Sequence, residues 1–102
     1  MASMFAVLAD SHRREILDVL RSGERPVNDL VELLNLTQPT VSKHLKVLRD
    51  VGLVEVRRDA QRRWYRLQPE PLAEVDAWLA PYRRMWMTSF TALDRHLEEM
   101  GE

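Results

Sequence analysis

Apolar side chains recur with a helical period along most of the chain, and one stretch, Leu36 to Val54, organises the rest. Within it Val41, Leu45 and Leu48 fall at i, i+4 and i+7, the spacing of a single buried helix face. Thr37 can cap the start of that helix, because its hydroxyl can accept from an unpaired backbone N–H of the first turn. Pro39 falls in the same turn, where its missing N–H costs nothing. Gly52 supplies the stop. Pro39, Ser42, Lys43 and Lys46 project opposite the apolar seam, and no acid interrupts that face before Asp50. A small, polar, cationic face on a helix has the chemistry of an element laid into the DNA major groove.

The flanking pattern predicts the remaining elements. Residues 2–8 form a short apolar helical segment. Asp10 or Ser11 then caps a second helix, with Glu15 as a capping-box candidate and Ile16, Leu17 and Leu20 as the buried stripe. Arg13 and Arg14 sit near its start, either as solvated surface or as contacts to a phosphate or carboxylate. Pro26 and Val27 open a third helix over about 27–34, with Leu30, Val31, Leu33 and Leu34 facing the core. Only Asn35, Leu36 and Thr37 separate it from the fourth, a helix-turn-helix spacing.

After Gly52 the period changes to alternation. Leu53, Val54 and Val56 lead into one strand, Trp64, Tyr65 and Leu67 mark another, and a polar tip with Arg57, Arg58, Arg62 and Arg63 lies between them. Four arginines at one hairpin tip repel each other unless they meet a polyanion. Pro69 and Pro71 start the last region. Residues 72–80 are helical, Pro81 ends or kinks that helix, and a long amphipathic helix resumes to about Met100. Trp78, Tyr82, Met85, Trp86, Phe90, Leu93 and Leu97 form a stripe along it, which either packs within one chain or buries itself in a dimer. A chain of 102 residues has little core with which to cover so long a seam, so the dimer is the favoured reading. Phe5 and Leu8 of the first segment join that expected interface.

Composition narrows the class. The chain is 45% hydrophobic and 30% charged, as in an ordinary globular protein, and one domain covers 1–102. No apolar run is long enough to span a bilayer, and the first ten residues lack the basic start and long apolar core of a signal peptide. The absence of cysteine excludes a disulfide framework and a thiolate metal site. Together these place the protein in the cytoplasm. The net charge of −1 conceals an uneven distribution. Residues 37–67 carry eight basic side chains against three acidic, a net +5, between segments of −2 (four against six) and −4 (three against seven). A basic middle between acidic ends is the footprint of a local DNA-binding surface.

Three stretches carry a resemblance to a known family: LADSHRREIL at 8–17, LTQPTVSKHLKVLRDVGLV at 36–54 and VRRDAQRRWYRL at 56–67. On these the chain resembles the ArsR/SmtB family of small bacterial winged helix-turn-helix repressors. The resemblance implies a mainly α fold with a two-stranded β wing, a helix-turn-helix over 27–50, a wing over 53–67 and C-terminal dimerisation helices over 70–101. It further implies a homodimer that binds double-stranded DNA at a near-palindromic operator. By the family pattern Gln38, Thr40, Ser42 and Lys43 contact bases or nearby phosphates, and Arg57, Arg58, Arg62 and Arg63 hold the flanking backbone.

The departures bear on the signal. Members that sense metals do so through a cysteine pair on the third helix or through carboxylates and histidines on the last. Here the third helix reads VNDLVELL. The last supplies only His96 and Glu99, with Arg83 and Met85 where the other ligands belong. One His and one Glu on adjacent turns do not make a tetrahedral site, and His12 and His44 read as packed or solvated residues. The expectation is therefore an autoregulated repressor with no metal and no cofactor, whose signal stays open between an unidentified small-molecule effector near the dimer seam, a protein, and none at all. A winged-helix module that binds protein instead of DNA is the alternative. An enzyme is not expected, because no nucleophile–base constellation, paired carboxylates or Gly-rich phosphate loop is present.

Overall fold

The computed structural model describes the backbone of residues 3–100, and the side chains of all of these except 91, 92, 99 and 100. Helix α1 is Met4–Leu8, capped by the Ser3 hydroxyl, which accepts from the N–H of Ala6 at 3.0 Å. Helix α2 is Ser11–Leu20. Its cap is Asp10, whose Oδ1 accepts from the N–H groups of His12 and Arg13 at 2.8 and 3.3 Å. Glu15 does not close a capping box; it lies 3.7 Å from Nδ1 of His12. Arg13 and Arg14 turn back to donate to the carbonyls of Val7, Leu8 and Ala9. They thereby satisfy acceptors that the end of α1 leaves unpaired. Neither of the two roles expected for these arginines describes that contact.

Strand β1 is Arg25–Pro26, α3 is Val27–Leu34 and α4 is Gln38–Asp50. Asn35 enters the turn between α3 and α4 in the left-handed region (φ 55°), which its short polar side chain tolerates. Thr37 caps α4 as expected, and Pro39 sits in the first turn. The helix closes in a Schellman motif. Gly52 at φ 80° donates to Arg49, and Leu53 donates to Leu48, each at 3.0 Å. Strands β2 (Val54–Asp59) and β3 (Arg62–Leu67) form the expected hairpin, but the sheet has three strands, in the order β1-β3-β2, all antiparallel. The two residues of β1 carry no alternation of their own, so only tertiary pairing reveals them.

The core gathers Met4, Val7, Ile16, Leu17, Leu20, Leu30, Val41, Leu45, Leu48, Leu53, Val54 and Tyr65. No polar or charged side chain is buried among the described residues. Leu33, expected inward, is instead 57% exposed. At about 100° per residue, Val27, Leu30, Val31 and Leu34 share one face of α3, and Leu33 falls to its side.

A 3-10 turn, Glu70–Leu72, leads into α5, Ala73–Met100. Pro81 lies inside α5 and does not end it, so of the two outcomes left open at Pro81 the split does not occur. The carbonyl that Pro81 cannot pair belongs to exposed Ala77, where water can satisfy it. Arg83 also spans the site, with Nη1 2.7 Å from the Asp76 carboxylate and Nη2 donating to the Asp76 carbonyl at 3.3 Å. Among the described residues no helix is long and apolar enough to cross a membrane.

Candidate nucleic-acid interface

The apolar seam of α4 points into the core, with Val41, Leu45 and Leu48 no more than 1% exposed, and this fixes what its other face presents. Gln38, Ser42, Lys43 and Lys46 are exposed. Thr40 is half-buried, and its hydroxyl lies 2.8 Å from that of Thr37, so part of its hydrogen-bonding capacity serves the cap.

Gln38 and Ser42 open onto a cleft of about 390 Å³ between the starts of α3 and α4 and the wing. Arg62, Arg63 and Gln61 line its wing side, and Asn28 and Asp29 its α3 side. Lys46 and Arg49 lie further along α4, lining a second recess against Val54, Glu55 and Val56 of β2. The structure thus brings five of the expected residues into two depressions, Gln38, Ser42, Arg62 and Arg63 into the first and Lys46 into the second. Asn28, Asp29 and Gln61 had not been singled out. Gln61 stood between arginine pairs at a hairpin tip and was legible; nothing in the local pattern says that α3 begins beside α4's first turn.

Alternation along the wing sorts its arginines. Val56 pairs with Tyr65 and Arg58 with Arg63, whereas Arg57 pairs with Trp64 and Asp59 with Arg62. Arg58 and Arg63 therefore extend the face that carries Tyr65. Arg57 lies on the opposite face, where its Nη2 donates to Glu24 at 2.5 Å. That bond holds the Glu24 carboxyl below its ordinary range and raises the Arg57 guanidinium. The two-residue loop is tight, with Ala60 at φ 56°.

Helix α4 is held against α2 by a polar contact. Nε of Arg13 donates to Nδ1 of His44 at 3.3 Å, and the rings of His12 and His44 lie 5.9 Å apart. The contact requires an unprotonated Nδ1. Burial pushes the His44 imidazole below its ordinary value; Asp10 opposes the shift, and the charges of Arg13, His12 and Lys43 add to it. Burial alone would raise Asp10, but the N–H groups of Arg13 and His12 and the charges of His44 and Arg13 hold its carboxyl below the usual range.

Phe5, Trp78, Tyr82, Met85, Trp86, Phe90, Leu93 and Leu97 are between 42% and 65% exposed, while Leu8 is half-buried against the core. Phe5 meets Trp78 edge-on at 5.5 Å, and Trp78 lies 5.0 Å from Tyr82, so the stripe continues from α1 onto α5. The side chains of Glu99 and Met100, and residues 1, 2, 101 and 102, lie outside the described residues. Among the described residues no group of three or more His, Cys, Asp or Glu is placed to hold a metal ion.

The sequence signature of bacterial regulatory proteins of the arsR family matches residues 10–56. An arsenical resistance operon repressor of Staphylococcus aureus is 40% identical over 75 residues, 74% of this chain and 72% of that one. An arsenic resistance transcriptional regulator of Pseudomonas putida is 41% identical over 103 residues, covering 97% of this chain and 78% of its own. Among solved structures, a possible transcriptional regulator for arsenical resistance superposes with a TM-score of 0.72 at 35% identity, over 80% of this chain and 85% of that one. A homodimeric winged helix-turn-helix DNA-binding domain from Mycobacterium bovis, a possible ArsR-family regulator, gives 0.62 at 35% identity, over 76% and 72%.

Proposed function

The chain belongs to the ArsR family of DNA-binding transcriptional regulators, and from that premise we propose a homodimeric, autoregulated repressor that binds a near-palindromic operator. The observation that carries the reading is the shared cleft. The exposed face of α4 and the wing tip open onto one side of the molecule, with Gln38 and Ser42 opposite Arg62 and Arg63. Each copy inserts α4 into a major groove, where Gln38, Thr40 and Ser42 offer hydrogen bonds to base edges. Lys43 and Lys46 compensate phosphate charge, and Arg58, Arg62 and Arg63 grip the flanking backbone.

Dimerisation answers the apolar stripe of Phe5, Trp78, Tyr82, Met85, Trp86, Phe90, Leu93 and Leu97, with Leu8 behind it. The chain has a radius of gyration of 18.8 Å. A compact chain of this size has about 13 Å, and the excess reflects a 28-residue helix that a single copy does not cover. The Mycobacterium bovis relative is a homodimer. Two-fold symmetry then sets two half-sites about one helical turn, or a multiple of it, apart.

The Staphylococcus and Pseudomonas relatives are named for arsenical resistance. Soft ions are held by thiolates, and this chain has no cysteine with which to form such a site. We therefore propose that this chain does not sense a soft ion through thiolates, as a cysteine-based site would.

Fluorescence anisotropy against DNA from upstream of its own coding region, with a scrambled duplex and two salt concentrations as controls, tests the proposal. Tight, steeply salt-dependent binding to the native duplex alone is expected. Lys43→Ala should weaken it and lower the salt slope by about 1.8, one phosphate contact from each copy; unchanged affinity overturns the assignment of α4. Equal, weak binding to both duplexes overturns autoregulation. No binding at low salt transfers the weight to a protein-binding winged helix.

A further inference from the structure

Arg57 is a wing arginine whose charge is already engaged, as is that of Arg66, which pairs with Glu55 within the hairpin. The register aligns Pro26 of β1, Trp64 of β3 and Arg57 of β2 in one row across the sheet. Along that row the Arg57 guanidinium carbon lies 5.8 Å from the centroid of the Trp64 ring. Beyond the ring it forks onto Glu24, with Nη2 donating to Oε1 at 2.5 Å and Nε to Oε2 at 3.3 Å. Asp59 stands 3.7 Å from Nη1 on the hairpin side. Two parallel bonds to one carboxylate fix direction as well as distance.

The place of this strap matters. Strand β1 supports the hairpin only through the pairs Arg25↔Tyr65 and Pro26↔Trp64. Past that row Arg58, Arg63, Asp59 and Arg62 belong to a two-stranded ribbon, which is marginally stable alone. Arg57 crosses from the outer strand to the body, one residue before β1, at the row where the third strand ends.

We propose that Arg57 is a positioning residue for DNA binding: anchored on Glu24, it sets the angle at which the Arg62–Arg63 tip meets the backbone, and does not itself neutralise a phosphate. The proposal rests on the reading of the wing as a DNA-binding surface. Exposed ion pairs contribute little to stability, so loss of the pair leaves the fold intact and moves the tip.

The sign of one substitution separates positioning from contact. Glu24→Gln removes a negative charge beside the DNA and frees Arg57. If Arg57 were a phosphate contact, binding would tighten; if the bridge aims the wing, binding weakens. The probe is a labelled mixed-sequence duplex of about 30 base pairs, enough for two half-sites, titrated by anisotropy with the full chain. Glu24→Gln and Arg57→Gln should each weaken binding about three- to tenfold, within the range of a typical net hydrogen-bond contribution, and the double variant should be no weaker than either. The charge swap, Glu24→Arg with Arg57→Glu, re-forms the bridge and should restore affinity to within about twofold. In an Arg62→Ala, Arg63→Ala background Glu24→Gln should have no further effect, which a general loss of stability would not reproduce. Tighter binding by Glu24→Gln, or a charge swap as weak as Arg57→Glu alone, overturns the proposal. If Arg62→Ala with Arg63→Ala binds as the unmodified chain does, the wing reading itself fails.

Discussion

Two apolar stripes of similar regularity run along α4 and α5, and they meet opposite fates. On α4, Val41, Leu45 and Leu48 disappear into the core. On α5, Trp78, Tyr82, Met85, Trp86, Phe90, Leu93 and Leu97 stay about half exposed. Periodicity says that a helix has a face to bury; it does not say what buries it. For α4 the cover is α2, α3 and the sheet. For α5 only its first turn, through Val75, reaches the same core among the described residues, beside Leu72 of the preceding 3-10 turn. The stripe therefore separates what one copy needs in order to fold from what it offers to a second.

The comparison breaks most sharply at Leu45. Truncation to Ala should cost about 2–5 kcal/mol, because the surrounding helices cannot collapse fully into the space. Urea denaturation should show this loss at every protein concentration. A change below about 1 kcal/mol would mean that the α4 seam is not the centre of the fold.

Trp86→Glu attacks the other stripe. It should remove roughly 2–3 kcal/mol of association, as for a central aromatic anchor, and leave the secondary structure in place. Sedimentation equilibrium should show monomers where the unmodified chain dimerises, and the concentration dependence of Tm should vanish. A Trp86→Glu protein that still dimerises at micromolar concentration would assign α5's stripe to some other cover.

Most of the fold was legible because its signals are local. The α4 cap at Thr37, the Gly52 stop and the switch from helical to alternating period at Leu53 each lie within a few residues of what they control. The misses were tertiary. Strand β1 is two residues long and exists only through Tyr65 and Trp64. At Pro81 the local rule left a break and a kink both open, and only the exposed Ala77 carbonyl and the Arg83–Asp76 strap show how one helix accommodates the ring. The candidate interface divides the same way. Exposure of the Ser42 and Lys43 face follows from burial of the opposite one, whereas the engagement of Arg57 by Glu24, 33 residues away, has no local signature.

A smaller effect sharpens the α4 half of the comparison. His44 accepts from Arg13 only when unprotonated, and burial with nearby positive charge holds it below the ordinary value of 6.5. Below that pH the unfolded chain binds the proton first, so stability is whole above 6.5 and declines as pH falls towards the lower folded value. Asp10 acts in the same direction, but only below 3.8. His44→Gln should flatten the decline that begins below pH 6.5, measured by urea midpoints as the pH is lowered from neutrality. An unchanged slope would place the titrating group elsewhere.

The smallest effect tests whether the distinction holds within one helix. Leu30 and Leu33 are both leucines of α3, one fully buried and the other 57% exposed. The helix is eight residues long. At about 100° per residue, Leu33 lies roughly 110° from the middle of the face made by Val27, Leu30, Val31 and Leu34. Leu33→Ala removes little packing and adds helix propensity, so its stability should stay within about 0.5 kcal/mol of the unmodified chain. A loss above about 2 kcal/mol would mean that Leu33 is covered in the assembled protein. If that loss shrank on dilution, the cover would be a second copy reaching beyond α5, and the boundary between folding and pairing would run through the helix-turn-helix itself.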